Sequence, residues 1–140
     1  MARGILIVDD DIDDCQIVVE SLQQIGWNNQ IDFVHGGLEA LEFLEAKNKL
    51  NASPVVIIID LRMPMMSGLE LLAQIKQYYK NVPVILYSTA CTDELIKQAK
   101  QAGAVDCVKK GTSYMDNLKL AHLVLSLANS SINKRLLEIY

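Results

Sequence analysis

Asp9-Asp10-Asp11 and Asp60 each follow directly on a run of aliphatic residues, Ile5-Leu6-Ile7-Val8 in one case and Val55-Val56-Ile57-Ile58-Ile59 in the other. Carboxylates brought together repel, and without a cation at least one of them holds its proton more tightly than usual. Oxygen-only ligation, with no histidine or cysteine in the cluster, selects a hard divalent ion, Mg²⁺ or Mn²⁺, bound through a few carboxylates and several waters. A carboxylate is also a nucleophile toward a phosphoryl group, giving an acyl phosphate when metal and cationic groups neutralise the transferring oxygens. Asp60 is the candidate nucleophile. Lys110 offers an ammonium to one phosphoryl oxygen and Ser88 a hydroxyl to another.

These groups meet only if the strands before them run the same way. Both aliphatic runs are too short to span a membrane and read as strands buried on both faces. A carboxylate at the carboxyl end of such a strand lies over the crevice where open α/β sheets bind ligands. Between the two runs, Cys15, Val18, Val19, Leu22 and Ile25 recur at helical spacing and Gly26 stops the helix. Gln30 to His35 gives a second strand, and Leu38, Leu41, Phe43 and Leu44 mark a second helix after Gly36-Gly37. Lys47 to Pro54 reads as a loop. Pro64 and Gly68 interrupt both periodicities, so Met63 to Gly68 is a loop as well. Leu69, Leu72, Ile75 and Tyr79 supply a third helix, and Pro83 to Tyr87 a fourth strand ending at Ser88-Thr89. Thr92-Asp93-Glu94 starts a fourth helix with a capping hydroxyl and acids in its first turn, and Gly103 closes it. Ala104 to Val108 is the fifth strand and delivers Lys109-Lys110. A last helix runs from about Tyr114 toward Ser130. Five strands alternating with five helices imply an α/β fold, a parallel sheet covered on both faces with right-handed crossovers. Residues as distant as Asp9 and Lys110 then collect on one edge.

A chain of 140 residues with a formal net charge of −4 makes one domain and lacks the basic footprint that nucleic-acid binding needs. Cys15, Cys91 and Cys107, odd in number and scattered, suit reduced packing thiols in a cytoplasm better than a disulfide frame or zinc site. No leader pattern or spanning segment is present, so a cytoplasmic protein with no membrane partner is expected. His35 and His122 share no site.

Blander readings account for single residues. The commonest role of an aspartate after a buried strand is a helix N-cap or turn, and Lys110 or Ser88 alone is surface chemistry; their joint placement is what points to a site. Asp9, Asp11, Asp13 and Glu20 match positions one, three, five and twelve of a calcium loop, but Asp14 stands where that loop needs glycine and a strand precedes it. A flavin-phosphate site is excluded because the three acids repel phosphate. An aspartate-nucleophile phosphatase fits Asp9-Asp10-Asp11-Ile12-Asp13 only in part, and 140 residues is short for such an enzyme.

Four motifs in order resemble the receiver domain of two-component response regulators, the family that includes the small chemotaxis regulator. They are Val8-Asp9-Asp10-Asp11, Asp60-Leu61-Arg62-Met63-Pro64 with Ser67-Gly68, Ser88 five residues after Pro83, and Lys110 seven after Gly103. The likeness runs from about Arg3 to Ala128. It implies a doubly wound, flavodoxin-like three-layer sandwich with strand order 2-1-3-4-5. It also implies that Asp60 is the phosphoacceptor and that Asp9, Asp10, Asp60 and the backbone carbonyl of Arg62 hold Mg²⁺ (or Mn²⁺). Ser88 is then the switch hydroxyl and Lys110 the phosphate contact. The implied donor is a sensor histidine kinase or histidine phosphotransfer protein, with self-catalysed phosphorylation and dephosphorylation in place of conventional turnover. Gly111 stands where the family usually has proline, Cys107 where many relatives have an aromatic, and Arg62 and Ala90 at positions that vary with phosphoryl lifetime.

The expected layout is a receiver over 1–129 and an extension of the last helix, or tail, over 130–140, too short for an output domain. A stand-alone regulator acting on another protein follows from that layout. On the last helix, Leu118, Ala121, Leu125 and Ala128 form one stripe and Leu120, Leu123, Val124 and Leu127 a second. One stripe suffices for packing, so the second, with Ile132, Leu136 and Leu137, is expected at a homodimer or partner surface. The alternative function is a receiver-like scaffold that takes no phosphate, against which stands the retention of every charged site group.

Overall fold

A computed structural model describes residues 3–111 and 113–139, with side chains described as far as Ser130. The order is β1 (Ile5–Val8), α1 (Ile12–Gln24), β2 (Ile31–Val34), α2 (Gly37–Lys49), β3 (Val56–Asp60), α3 (Gly68–Tyr78), β4 (Val84–Ser88), α4 (Asp93–Gln101), β5 (Asp106–Lys109) and α5 (Tyr114–Ile139). The strands form one parallel sheet in the order β2-β1-β3-β4-β5, the doubly wound arrangement that the resemblance implies.

Side chains alternate across the sheet and build a core on each face. Leu6, Val8, Ile57, Ile59, Val84, Leu86 and Cys107 pack with Leu44, Leu71, Leu72, Ile75 and Ala99 from α2, α3 and α4. Ile5, Ile7, Val56, Ile58, Ile85 and Tyr87 pack with Val18 and Leu22 of α1 and Leu120, Ala121 and Val124 of α5. Ile57, Ile58 and Ile59 are no more than 1% exposed, and burying each contributes about 2 kcal/mol. The rigidity of the central strands comes from this double-sided burial.

Helix ends follow local chemistry. Asp11 caps α1 by accepting from the N–H groups of Asp13 and Asp14, Thr92 caps α4 through Leu95, and Ser67 and Glu70 form a reciprocal capping box on α3. Gly26 and Gly103 follow α1 and α4 at φ 103° and 105°, values that favour glycine and stop the helix.

Three sequence expectations need correction. The segment read as a loop from Lys47 begins as helix, since α2 continues to Lys49 with Lys47 and Lys49 in its last turn, where cations suit the helix dipole. β5 begins two residues later than the apolar pattern suggests. Ala104 is still tied to Ala99 and Val105 is the first residue to reach β4, through Val84. On α5 the two proposed stripes are not separate: Leu120, Ala121, Val124 and Ala128 are the buried set, a single helical face. Leu123, Leu125 and Leu127 flank it half-buried, so Leu120 and Val124 are not spare for a partner. The side chains of Ile132, Leu136 and Leu137 lie outside the described residues.

Candidate functional site

Register brings the acids together. Val8 pairs with Ile59 across β1 and β3, so Asp9, one residue on, stands level with Asp60. Asp9 is 2% and Asp60 7% exposed, while Asp10 lies in the open. One carboxyl oxygen from each of Asp9, Asp10 and Asp60 falls within 4.8 Å of the others. Asp11, third in the acidic run, is occupied as the α1 cap. The turn is tightened by the Asp11 N–H, which donates to Asp9 Oδ1 at 3.0 Å.

Lys110 enters from the far side of the sheet edge. Its backbone N–H donates to the Ser88 carbonyl at 2.7 Å. Its Nζ lies 2.9 Å from Asp9 Oδ2, 2.8 Å from Asp14 Oδ2 and 3.4 Å from Asp60 Oδ1, and 5.2 Å from the centre of the Tyr87 ring. Lys109, one residue earlier, is exposed, as strand alternation requires of one of the two. Burial pulls the Lys110 pKa down, but hydrogen bonds to Asp14 and Asp9 and the charges of Asp9 and Asp60 outweigh it and hold it above the ordinary lysine value. Asp60 goes the other way. Burial and then the charge of Asp9 push its carboxyl up to about 6, against the charge and hydrogen bond of Lys110 and a backbone hydrogen bond at Arg62. One ammonium therefore does not balance the charge that Asp9, Asp14, Asp60 and Asp10 concentrate here. The donor set, oxygen only and with one open side at Asp10, fits a hard divalent cation.

The surrounding loops are shaped to this pocket. The Gly68 N–H donates to the Leu61 carbonyl at 2.8 Å, and a Cβ at Gly68 would lie 2.6 Å from the Asp60 carbonyl oxygen, so only glycine lets α3 start so close to Asp60. Gly111 plays the same part after Lys110, where a Cβ would run into the side chain of Asp116. Ser88 is 1% exposed; its hydroxyl accepts from the Ala90 N–H at 3.2 Å and faces the Ala90 carbonyl at 3.4 Å. His35 Nδ1 lies 3.1 Å from the Asp9 carbonyl, a contact that requires the proton on that nitrogen.

All of Asp9, Asp10, Asp60, Ser88, Arg62 and Lys110 thus gather at one sheet edge. Two features went unread in the sequence. Asp14 is a partner of Lys110, and its signal is position: the third residue of a helix that starts at a strand end turns back toward that end. Cys91 and Cys107, read as separate packing thiols, lie with their sulfurs 3.3 Å apart.

A family model described as the response regulator receiver domain matches residues 5–121. The chain is 32% identical over 116 residues to the transcriptional regulatory protein ZraR of Klebsiella oxytoca, covering 83% of this chain and 24% of that protein. It is 32% identical over 96 residues to the response regulator Rcp1 of Synechocystis sp., covering 66% of this chain and 65% of that one. It therefore spans about a quarter of the length of one curated relative and just under two thirds of the other. The crystal structure of the Mn²⁺-bound form of Rcp1 is similar at a TM-score of 0.74 and 26% identity, over 89% of this chain and 93% of that one. A sequence match over most of the chain and a fold shared with a solved relative agree with the acidic pocket found above, and the chain belongs to the response regulator receiver domain family, whose members are signalling domains and not conventional enzymes.

Proposed function

We propose that this chain accepts a phosphoryl group on Asp60 from the phosphohistidine of a sensor histidine kinase or histidine phosphotransfer protein, in a reaction requiring Mg²⁺ or Mn²⁺, and signals through an altered protein-binding surface. The observation that carries this reading is the convergence of three carboxylates within 4.8 Å and an ammonium 3.4 Å from Asp60 Oδ1. Asp9, Asp10, Asp60 and the Arg62 backbone carbonyl would hold the ion, and the Mn²⁺ form of Rcp1 supports that choice of metal. The ion, when bound, supplies positive charge to the phosphoryl oxygens.

Asp60 attacks phosphorus through a carboxylate oxygen. The P–N bond breaks with its electron pair left on the imidazole nitrogen; because the other ring nitrogen of the phosphohistidine carries a proton, neutral imidazole departs and an acyl phosphate remains on Asp60. Burial and the charge of Asp9 raise the Asp60 pKa, and the ion together with Lys110 would hold the group as the carboxylate that attacks. Lys110 then exchanges carboxylate partners for a phosphoryl oxygen, and the Ser88 hydroxyl exchanges Ala90 for another. Both exchanges pull on the loop between β4 and α4, and so on α4 and β5.

Residues 1–129 form the receiver in this reading, with 130–140 as an extension of the last helix or a tail, in a cytoplasmic protein. Among the described residues no helix is long and apolar enough to cross a membrane. A homodimer through the outer side of α5 belongs to the same proposal and is tested by sedimentation across concentrations. The main test is intact mass after incubation with Mg²⁺ and acetyl phosphate. Wild type gains one phosphoryl unit, and Asp60→Asn or added chelator prevents it. If neither acetyl phosphate nor a cognate kinase labels wild type, a scaffold role replaces this one.

A further inference from the structure

Cys91 and Cys107 form a cluster of nucleophiles outside the phosphoryl pocket. Their sulfurs are 3.3 Å apart, and Cys91 Sγ is also 3.0 Å from the Cys107 carbonyl oxygen. Both are free thiols. Cys107 sits on β5 at 4% exposure, and Cys91 is half-buried in the loop between β4 and α4, three residues after Ser88. Cys15 belongs to the core on the opposite face of the sheet, too far removed to compete for either sulfur.

We propose that Cys91 and Cys107 are a redox pair, oxidised to a disulfide by hydrogen peroxide, and that the disulfide ties the β4–α4 loop to β5. Cys91, the more open thiol, attacks first as the thiolate. An S–O bond forms as the peroxide O–O bond breaks, giving a sulfenic acid and a hydroxide, which takes up the proton released when the Cys91 thiolate formed and becomes the first water. Cys107 sulfur then attacks the Cys91 sulfur; the S–S bond forms, the S–O bond breaks, and the departing hydroxide takes the Cys107 proton to leave as the second water. Two thiols and one peroxide become one disulfide and two waters, with two electrons passing from sulfur to oxygen. Burial and the hydrogen bond with Cys91 push the Cys107 thiol up to about 12, which makes it the poorer of the two at starting the reaction. The sulfurs must close to about 2.0 Å, a movement within reach of side-chain rotation and a small loop shift.

The consequence for signalling rests on the phosphoryl reading above. Ser88 ends β4 and Ala90 lies in the loop after it that has to rearrange, and a covalent tie three residues beyond Ser88 restrains that loop. Oxidation therefore opposes the phosphorylated arrangement.

Full-length protein treated with graded hydrogen peroxide, then examined by intact mass and non-reducing peptide mapping, should lose two hydrogens. The linkage should map to Cys91 and Cys107, and dithiothreitol should reverse it. Cys91→Ser and Cys107→Ser should abolish the loss, and Cys15→Ser should leave it intact. Stable sulfinic acid at Cys91, or linkage through Cys15 or between molecules, overturns the pair. Hydrogen exchange over residues 88–92 should slow about tenfold in the oxidised form; equal exchange overturns the tie. Acetyl phosphate labelling should slow by about threefold on oxidation, and an unchanged rate overturns the coupling. The pair is read by mass alone, so failure of the reduced protein to label would strike the phosphoryl reading instead.

Discussion

Every residue of β1 and β3 is buried, whereas β5 buries only Cys107 of its four and α4 only Ala99 of its nine. The two regions flank one pocket and meet different demands. β1 and β3 hold Asp9 and Asp60, groups that repel and would drift apart on a soft frame. α4 and β5 bury no charged group, and their shallow packing places them at the low end of local stability, where elements that move must lie. The same sheet edge is stiff where charge is concentrated and loose on the side where the proposed function places its response.

The sharpest way to break this contrast is to weaken each side by the same chemistry. Ile57→Ala in β3 should cost about 4 kcal/mol, because a fully buried isoleucine leaves a cavity that neighbours on both faces cannot fill. Leu95→Ala in α4, where the side chain is only partly buried, should cost about 1 kcal/mol. Urea unfolding measures both. Equal losses would mean that α4 is as firmly packed as the centre of the sheet.

Charge provides the next largest effect. Lys110→Met, measured in chelator, should cost about 3 kcal/mol, since it leaves Asp9 and Asp60 buried without their ammonium. Added Mg²⁺ should restore much of it by binding the folded state; no recovery would count against a cation at these carboxylates. Asp60→Asn should have the opposite sign. The folded pKa of Asp60, about 6, lies above the ordinary 3.8, so the stability linked to its proton is fully present below about pH 4 and is lost as pH rises through 6. Without metal, Asp60→Asn should therefore be more stable than wild type by about 3 kcal/mol at pH 7. The gain should shrink to nothing near pH 4. A gain that persists at pH 4 would trace to something other than the Asp60 charge.

The stiff region was the legible one. Val55 to Ile59 announce a strand by composition, and a carboxylate at the end of each of two such strands can only converge in a parallel sheet; Asp9, Asp60 and the loop closed by Gly68 follow. The loose region was not legible in the same way. β5 has a weak pattern because it is an edge strand, and its start slipped by two residues. α5 is apolar on so many sides that periodicity divided it into two stripes where packing uses one. Cys91 and Cys107 stand on a loop and an edge strand, and no spacing rule predicts that a loop folds back onto the next strand but one element later. Asp14 was hidden for a different reason: its role depends on a lysine near the other end of the chain.

That lysine contact provides the finest discrimination between the two regions, since Lys110 is delivered by the loose side and gripped by the stiff one. Asp14 Oδ2 lies 2.8 Å from Nζ with its side chain 32% exposed, against 2% for Asp9. Water screens the first pair more than the second. Asp14→Asn alone should cost under about 1 kcal/mol. In a double-mutant cycle with Lys110→Met, the Asp14–Lys110 coupling should be about 1 kcal/mol at low salt and fall as salt is raised, while the Asp9–Lys110 coupling should be larger and nearly salt-independent. If Asp14 shows no coupling at low salt, Asp9 and Asp60 alone hold Lys110, and the first turn of α1 has no part in setting how readily that ammonium is released to a phosphoryl group.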